Sequence, residues 1–440
     1  MRIDSLRLDG AWTRRLIEER PSDPAAGPVE QVEVPDSSLW SFHRMADAGK
    51  RCCFTRQIDC SFLPKNARFR VFLSIPGTCS QTEILLNDQR ILEPLEYQFV
   101  FRREITRFLS PAATAARLDI IVHPGGICRG TPELEIIPVP GISAVMIQPD
   151  PVRKRAAVAV ITEGPAEELE VQLQVPETDL SITSPPGVFE LSLPTAPQWT
   201  PSQPVLLTLN VTLRSKDGRV IDRVTKRWGM RDFTVQERRF HLNGHPIFLR
   251  AATIYPENLS PPETTDPKTW LRTLVLTARE ICLNALWIRN GQAPRDLLDT
   301  CDEAGLCVFE EWPAFFVHHH TAATNGFSPE DVIRAKQHHP SLCGWTLSAA
   351  KATDTDVLLT SLRNTALTLR KQDPSRLILA GFDRPFPDRF LVKPYQTAEL
   401  PLEIIRFDVP SPLCRDEERR LSLAGGQDTL NLVWLLSPGF

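Results

Sequence analysis

The sequence predicts a multidomain protein in which two β-sandwiches precede a module of alternating strands and helices of the TIM-barrel type. Three observations carry that prediction. At 440 residues the chain is about three times a typical domain of roughly 150. Up to about residue 235 its apolar residues alternate in short stretches of period two, and from about residue 240 strand-like and helix-like segments take turns. Proline is abundant, 39 residues against 21 glycines, as suits short strands joined by stiff turns, because proline fits poorly inside helices and central strands.

In the first region Arg51 to Leu63 alternates around Phe54, Ile58 and Phe62, and Phe69 to Ile75 alternates before a Pro76-Gly77 turn. Glu83 to Ile91 reads as a hairpin whose tight turn is Asn87-Asp88. Arg117 to His123 is a further strand, closed by Pro124-Gly125-Gly126. The rhythm continues through Ala156 to Ile161, Leu169 to Val175, Val188 to Leu193, Val205 to Leu213 and Val220 to Lys226. That is the pattern of a second, immunoglobulin-sized sandwich.

The third region opens with an apolar strand at Ile247-Phe248-Leu249. A helix then starts near Asp266-Pro267, an N-cap followed by a first-turn proline. Strands at Ala285 to Ile288, Leu306 to Phe309, Cys343 to Leu347 and Leu377 to Ala380 alternate with helices at Arg295 to Ala304, Pro329 to His338 and Asp354 to Gln372. Two more strands are expected at Ile404 to Phe407 and Leu430 to Leu436. Repeated βα units imply right-handed crossovers and a parallel sheet.

Composition excludes several classes of function. With 42% hydrophobic and 24% charged residues, the chain has the makings of packed cores. Fifty Lys and Arg against 54 Asp and Glu leave a net charge of −4, so no basic field exists for nucleic acid or an anionic membrane. No apolar run reaches the ~18–20 residues of a membrane helix. The start, MRIDSLRLDGAWTRR, is charged where a signal peptide is apolar. The ten cysteines lack C-x-x-C pairing, which predicts reduced thiols in a cytoplasmic protein.

Several segments carry a resemblance. They are Trp199-Thr200-Pro201 with Pro204, Gly229-Met230-Arg231, and Phe240 through Arg250 (FHLNGHPIFLR). Asn284-Ala285, Cys301 through Val308 (CDEAGLCV), and His338-His339-Pro340-Ser341 with Trp345 follow. In this order they resemble glycoside hydrolase family 2, the β-galactosidase, β-glucuronidase and β-mannosidase group. The resemblance implies a jelly-roll sandwich at 1–138, an immunoglobulin-like sandwich at 139–235 and a catalytic-type barrel at 236–440 that is shorter than the family's. It implies retaining hydrolysis of β-glycosides by two carboxyls about 5–5.5 Å apart; the residues themselves lead to the expectation of no cofactor and no metal.

Matched position by position, however, the polar machinery has been replaced. The family's acid/base glutamate falls on Ala350, and its neighbouring asparagine on Ala349. The nucleophile falls on Pro438. The arginine expected after Asn284 is Trp287, and the glycine and asparagine expected after Arg250 are Ala251 and Thr253. The implied function is therefore a catalytically inactive relative serving as a carbohydrate-binding or interaction scaffold. The alternative is an active glycosidase using displaced carboxylates, or one half of a split enzyme.

Glu310, Glu311, Asp354, Asp356, Asp383 and Asp408 are the acids expected near strand ends, with Glu311 and then Asp383 the fallback catalytic groups. A carbohydrate is expected to meet Glu311, Trp312, Trp287, Arg250 and Trp345, the indoles offering flat faces for a sugar. His318-His319-His320 reads as a polar loop, since three consecutive side chains cannot converge on one metal ion. An open barrel edge would be covered by a second copy or by another partner.

Overall fold

The computed structural model describes residues 2–18, 29–34, 50–61, 63, 68–75, 77–79, 82–92, 101–109, 114–123, 127–129, 131–164, 168–236, 239–254, 266–288, 292–312, 329–348, 355–381 and 403–404. Two large antiparallel sheets and a two-stranded ribbon (Gly77–Cys79 with Ile127–Arg129) form the first module. One has four strands in the order Ile3–Arg7, Glu133–Pro138, Phe69–Ile75, Phe101–Glu104. The other has six, in the order Val29–Val34, Gly10–Glu18, Lys50–Asp59, Ala115–Val122, Thr82–Leu86, Gln89–Leu92. Trp12, Phe54, Leu73, Ile84, Leu118 and Ile136 from both sheets share one buried core. The hairpin turns at Asn87 and Asp88, with φ of 50° and 63°, as a two-residue turn matched to strand twist requires.

The second module pairs a three-stranded sheet (Gly141–Asp150, Arg155–Glu163, Val188–Ser192) with a four-stranded one (Leu180–Ser184, Leu169–Val175, Leu207–Ser215, Val220–Trp228). Their alternating inward residues, among them Val158, Leu173, Leu191, Val211 and Trp228, make its core.

The third module is a six-stranded sheet, its strands numbered here along that sheet: β1 (Ala251–Ile254), β2 (Ala285–Ile288), β3 (Cys307–Trp312), β4 (Leu342–Ser348), β5 (Leu377–Gly381) and β6 (Glu403–Ile404). Every pairing is parallel. The helices are α1 (Pro267–Glu280), α2 (Arg295–Ala304), α3 (Pro329–Lys336) and α4 (Thr355–Gln372). Asp266 caps α1 by accepting from the Thr269 amide at 2.9 Å, and Gly305 ends α2 at φ 77°. The expected strand at Leu430 to Leu436 lies outside the described residues.

One expected strand moves. Ile247 to Leu249 is not a strand; a short strand at His245–Pro246 precedes it and β1 follows it. The Asn284 side chain explains the shift, because its amide donates to the Phe248 carbonyl at 2.8 Å and its oxygen accepts from the Arg250 amide at 2.7 Å. Those two bonds do what a strand neighbour would otherwise do.

The modules lock together through the segments that carry the family resemblance. Trp199 Nε1 donates to the Asp302 carbonyl at 2.9 Å. The buried Arg231 donates to the carbonyls of Pro340, Ser375 and Leu342 at 3.0, 3.1 and 2.6 Å. Gln337 bonds both the N–H and the carbonyl of Ile147, at 2.8 and 2.7 Å. Gly305 sits so close to the second module that a Cβ there would lie 2.4 Å from the Pro201 carbonyl oxygen.

Gly305→Ala should therefore lose about 2 kcal/mol or more in urea unfolding, from backbone strain plus the clash. Gly218, also at positive φ (86°), has nothing within 4 Å of its would-be Cβ, and Gly218→Ala should lose about 1 kcal/mol. Equal losses would show that the approach to Pro201 carries no weight.

Candidate functional site

Strand pleating decides which side chains can share a site. One face of the parallel sheet packs on its helices, through Ile254, Leu286, Ile288, Val308, Trp312, Leu342, Trp345, Leu347 and Ile378. The opposite, inner face carries Ala251, Ala285, Trp287, Cys307, Phe309, Cys343, Leu377 and Leu379. Alternation then places Thr253, Glu311 and Thr346 on the inner face near the carboxyl ends of their strands. Registers agree: Thr253 lies beside Trp287, Trp287 beside Phe309, and Glu311 beside Thr346.

Beneath this layer Phe309 packs against Phe233 and Phe240, with ring centroids 5.8 and 6.3 Å away. The amino-terminal side of the inner face is thus filled by aromatic rings. Above it, Glu311 and Thr253 are 9% and 8% exposed and Thr346 is fully buried. The hydroxyl oxygens of Thr253 and Thr346 have no hydrogen-bond partner among the described residues. Buried hydroxyls left unpaired are costly, so this shelf suits a polar guest. Sequence reasoning missed Thr346; the period-two pattern of β4, counted from Trp345, was the signal that could have found it.

Glu310 and Glu311 are neighbours with opposite surroundings. Glu310 points to the helix side and is fully buried, where the Lys336 ammonium donates to it. Lys336 also donates to the Ala293 carbonyl at 3.1 Å. Burial raises the Glu310 carboxyl above its usual range, opposed by Lys336, and burial lowers the Lys336 ammonium, opposed by Glu310. Glu310 is therefore a packing ion pair, as buried acids beside helices commonly are.

Four of the expected ligand contacts lie buried or away from the carboxyl ends of the strands. Trp312 and Trp345 belong to the helix-side core; their rings meet edge to face at 5.0 Å, and Trp345 Nε1 donates to Asp373 at 3.2 Å. No flat face remains for a sugar. Trp287 is on the inner face but only 3% exposed, packed within the aromatic layer below Glu311. Arg250 precedes β1 at its amino-terminal end, its guanidinium donating to the Cys282 carbonyl at 2.5 Å, away from the carboxyl ends. Glu311, the fifth, lies on the inner face near the carboxyl end of β3. Ala349, Ala350, Asp354, Asp383, Asp408, Pro438 and the His318–His320 loop lie outside the described residues, and so do the side chains of Asp356 and Ser348.

His338 and His339 precede β4 with rings 4.1 Å apart. His339 Nδ1 meets Asp302 at 2.6 Å, and the other oxygen of Asp302 accepts from the Ser341 amide at 2.9 Å. Asp299, Asp302 and His339 bring ligand-type atoms within 4.8 Å of one another. Both oxygens of Asp302 are already engaged, which accounts for the cluster as a structural joint. Among the described residues no helix is long and apolar enough to cross a membrane.

Residues 142–231 match the sequence profile of Glycosyl hydrolases family 2. A β-glucuronidase from Paenibacillus borealis is 26% identical over 248 residues, 51% of this chain and 40% of that protein. Among solved structures, Bacteroides uniformis β-glucuronidase 3 superposes with a TM-score of 0.72 at 17% identity, covering 98% of this chain and 61% of that one. An FMN-binding β-glucuronidase from Facaelibacterium prausnitzii L2-6 gives 0.71 at 18% identity, covering 88% and 64%. The chain thus spans less than two thirds of each of these relatives. The resemblance read from the sequence is borne out, and the multidomain layout of sandwiches is the relatives' fold.

One pH dependence follows from the histidine pair before β4. Burial, reinforced by His339, Lys226, Arg295 and Arg376, holds the His338 imidazole well below its ordinary value near 6.5. Above that value His338 is neutral folded or unfolded, and its titration contributes nothing. Below it the unfolded chain binds a proton that the folded protein refuses, so stability falls as pH drops, by up to about 1.4 kcal/mol per pH unit. Chemical denaturation at pH 7.5 and 5.5 should show that loss, and His338→Asn should reduce it; an unchanged slope would remove His338 as its source.

Proposed function

From kinship with Glycosyl hydrolases family 2, we propose that this chain recognises a β-linked sugar on the inner face of its parallel sheet without hydrolysing it. The observation that carries this reading is the shelf of Glu311, Thr346 and Thr253. Among the side chains described on that face, Glu311 is the one carboxylate, and Glu310 beside it is held by Lys336 on the helix side. A retaining mechanism needs two carboxyls about 5–5.5 Å apart, and the two family positions read Ala350 and Pro438. A carboxylate flanked by hydroxyls binds sugar hydroxyls well without that second acid. The setting we infer is cytoplasmic and reducing, supported by buried thiols such as Cys301, Cys307 and Cys343.

A second reading, hydrolysis by displaced acids, draws on Glu403, which the backbone register sets in the row of Glu311, Thr346 and Leu379. The two family carboxyl positions read Ala350 and Pro438, so the binding reading is preferred.

With 4-nitrophenyl β-D-glucuronide and β-D-galactoside, the expected result is no turnover above buffer. Calorimetric titration with β-linked disaccharides should show binding that weakens about tenfold in Glu311→Gln or Thr346→Val. Turnover that disappears in Glu311→Gln would overturn the reading in favour of hydrolysis.

A further inference from the structure

A cavity of about 260 Å³ lies where all three modules meet, on the helix side of the parallel sheet and away from the Glu311 shelf. The first module contributes Arg2, Arg102 and Glu135; the second Ile142, Val145 and Lys226; the third Gln292, Arg334, His338 and His339. Two features set it apart from an ordinary seam between domains.

The first is a cluster of unsatisfied polar atoms. Both amide atoms of Gln292, Nδ1 of His338 and Nε2 of His339 are buried with no hydrogen-bond partner among the described residues. Gln292, His338 and His339 are 9%, 8% and 1% exposed. Native proteins rarely leave four such atoms around one space. The His339 ring is already fixed, since its Nδ1 is held by Asp302 at 2.6 Å, and Nε2 remains for a guest. The Gln292 amide offers a donor and an acceptor side by side, the complement of a hydroxyl group.

The second is charge. Arg2, Arg102, Lys226, Arg295, Arg334 and Lys336 line the cavity, against the carboxylates Glu133, Glu135 and Asp331. Several of these cations are committed: Arg102 to Glu135 at 2.6 Å and Asp331 at 3.3 Å, Arg2 to Asp222 at 2.9 Å, and Lys336 to Glu310. Arg334 makes no hydrogen bond among the described residues; its charge acts on Asp331, which Arg102 already holds, and its guanidinium fork suits a further carboxylate. Apolar Ile142, Val145, Leu298 and Val332 complete the wall, as in small-molecule sites generally.

We propose that this junction cavity binds a small hydroxylated carboxylate, with the carboxylate on Arg334 and the hydroxyls on Gln292, His338 and His339. The site stands independently of the sugar shelf. A ligand there contacts all three modules at once and so fixes their packing, because anything that binds the folded form alone stabilises it.

The test uses the full chain with D-gluconate as probe, D-glucose as its neutral counterpart and inorganic phosphate as an anion without the polyol. Gluconate should raise the melting temperature and bind by calorimetry, with glucose and phosphate each at least about tenfold weaker. Arg334→Glu, at a partly exposed position, and Gln292→Leu, of similar volume, should each weaken gluconate about tenfold or more, and Glu311→Gln should leave it unchanged. No binding in the millimolar range would mean that the cavity holds water, and would overturn the proposal. So would binding that survives both junction variants, or that is lost in Glu311→Gln and therefore belongs to the shelf. Phosphate binding as tightly as gluconate would overturn the recognition of hydroxyls.

Discussion

Two buried arginines set the geometry on which the rest of this fold depends. The segment from Gln337 to Leu342 brings several carbonyls into the protein interior just before β4 begins, and such groups must find donors. Arg231 reaches from the second module to Pro340, Leu342 and Ser375. Arg376, at the start of β5, donates to Leu342 at 3.0 Å and His339 at 2.8 Å. Burial pushes the Arg376 guanidinium down to about 10 despite the support of Asp373, and even there it stays charged at neutral pH. Two guanidiniums, each with several donors in a rigid plane, satisfy what no local helix or strand does. They also fix where β4 starts, and hence which of its side chains turn inward.

That register has chemical consequences one strand away. Because β4 begins where it does, Thr346 stands beside Glu311 and Trp345 faces the helices. A shift of one residue would exchange those roles. The same alternation separates the twin acids of β3: one is committed to an ammonium among the helices, the other lies beside unpaired hydroxyls. Adjacent residues of the same type thus acquire unrelated roles through strand geometry alone.

Much of this was legible from the residues. Leu169–Val175, Phe69–Ile75, Ala285–Ile288 and Arg295–Ala304 fall where the sequence puts them: the first buries alternate residues, the next two are short apolar runs buried largely on both sides, and the helix ends at Gly305. The strand Gly10–Glu18 was not legible. Its exposed edge partner, Val29–Val34, and the ion pair from Arg14 to Glu30 satisfy charges that a sequence window reads as surface loop. The strand displaced from Ile247 was misread because apolar content there serves packing, while Asn284, distant in sequence, supplies the backbone bonds. The placement of the tryptophans was illegible for a related reason: aromatic composition says nothing about facing, and only register separates a ring in the core from a ring in a cleft. The junction cavity was invisible, since its walls come from residues more than 300 positions apart.

The pair of hydrogen bonds between Gln337 and Ile147 has a bearing on solubility. Ile147 lies in Gly141–Asp150, which has a strand neighbour on one side only in its sheet of three. A strand left open on one side is a template for pairing with another chain. A single glutamine side chain, offering an acceptor and a donor at the spacing of a peptide group, occupies that open rail at its middle. The edge of the second module is thereby covered at that point by a residue of the neighbouring module, and separating the two would uncover an open strand.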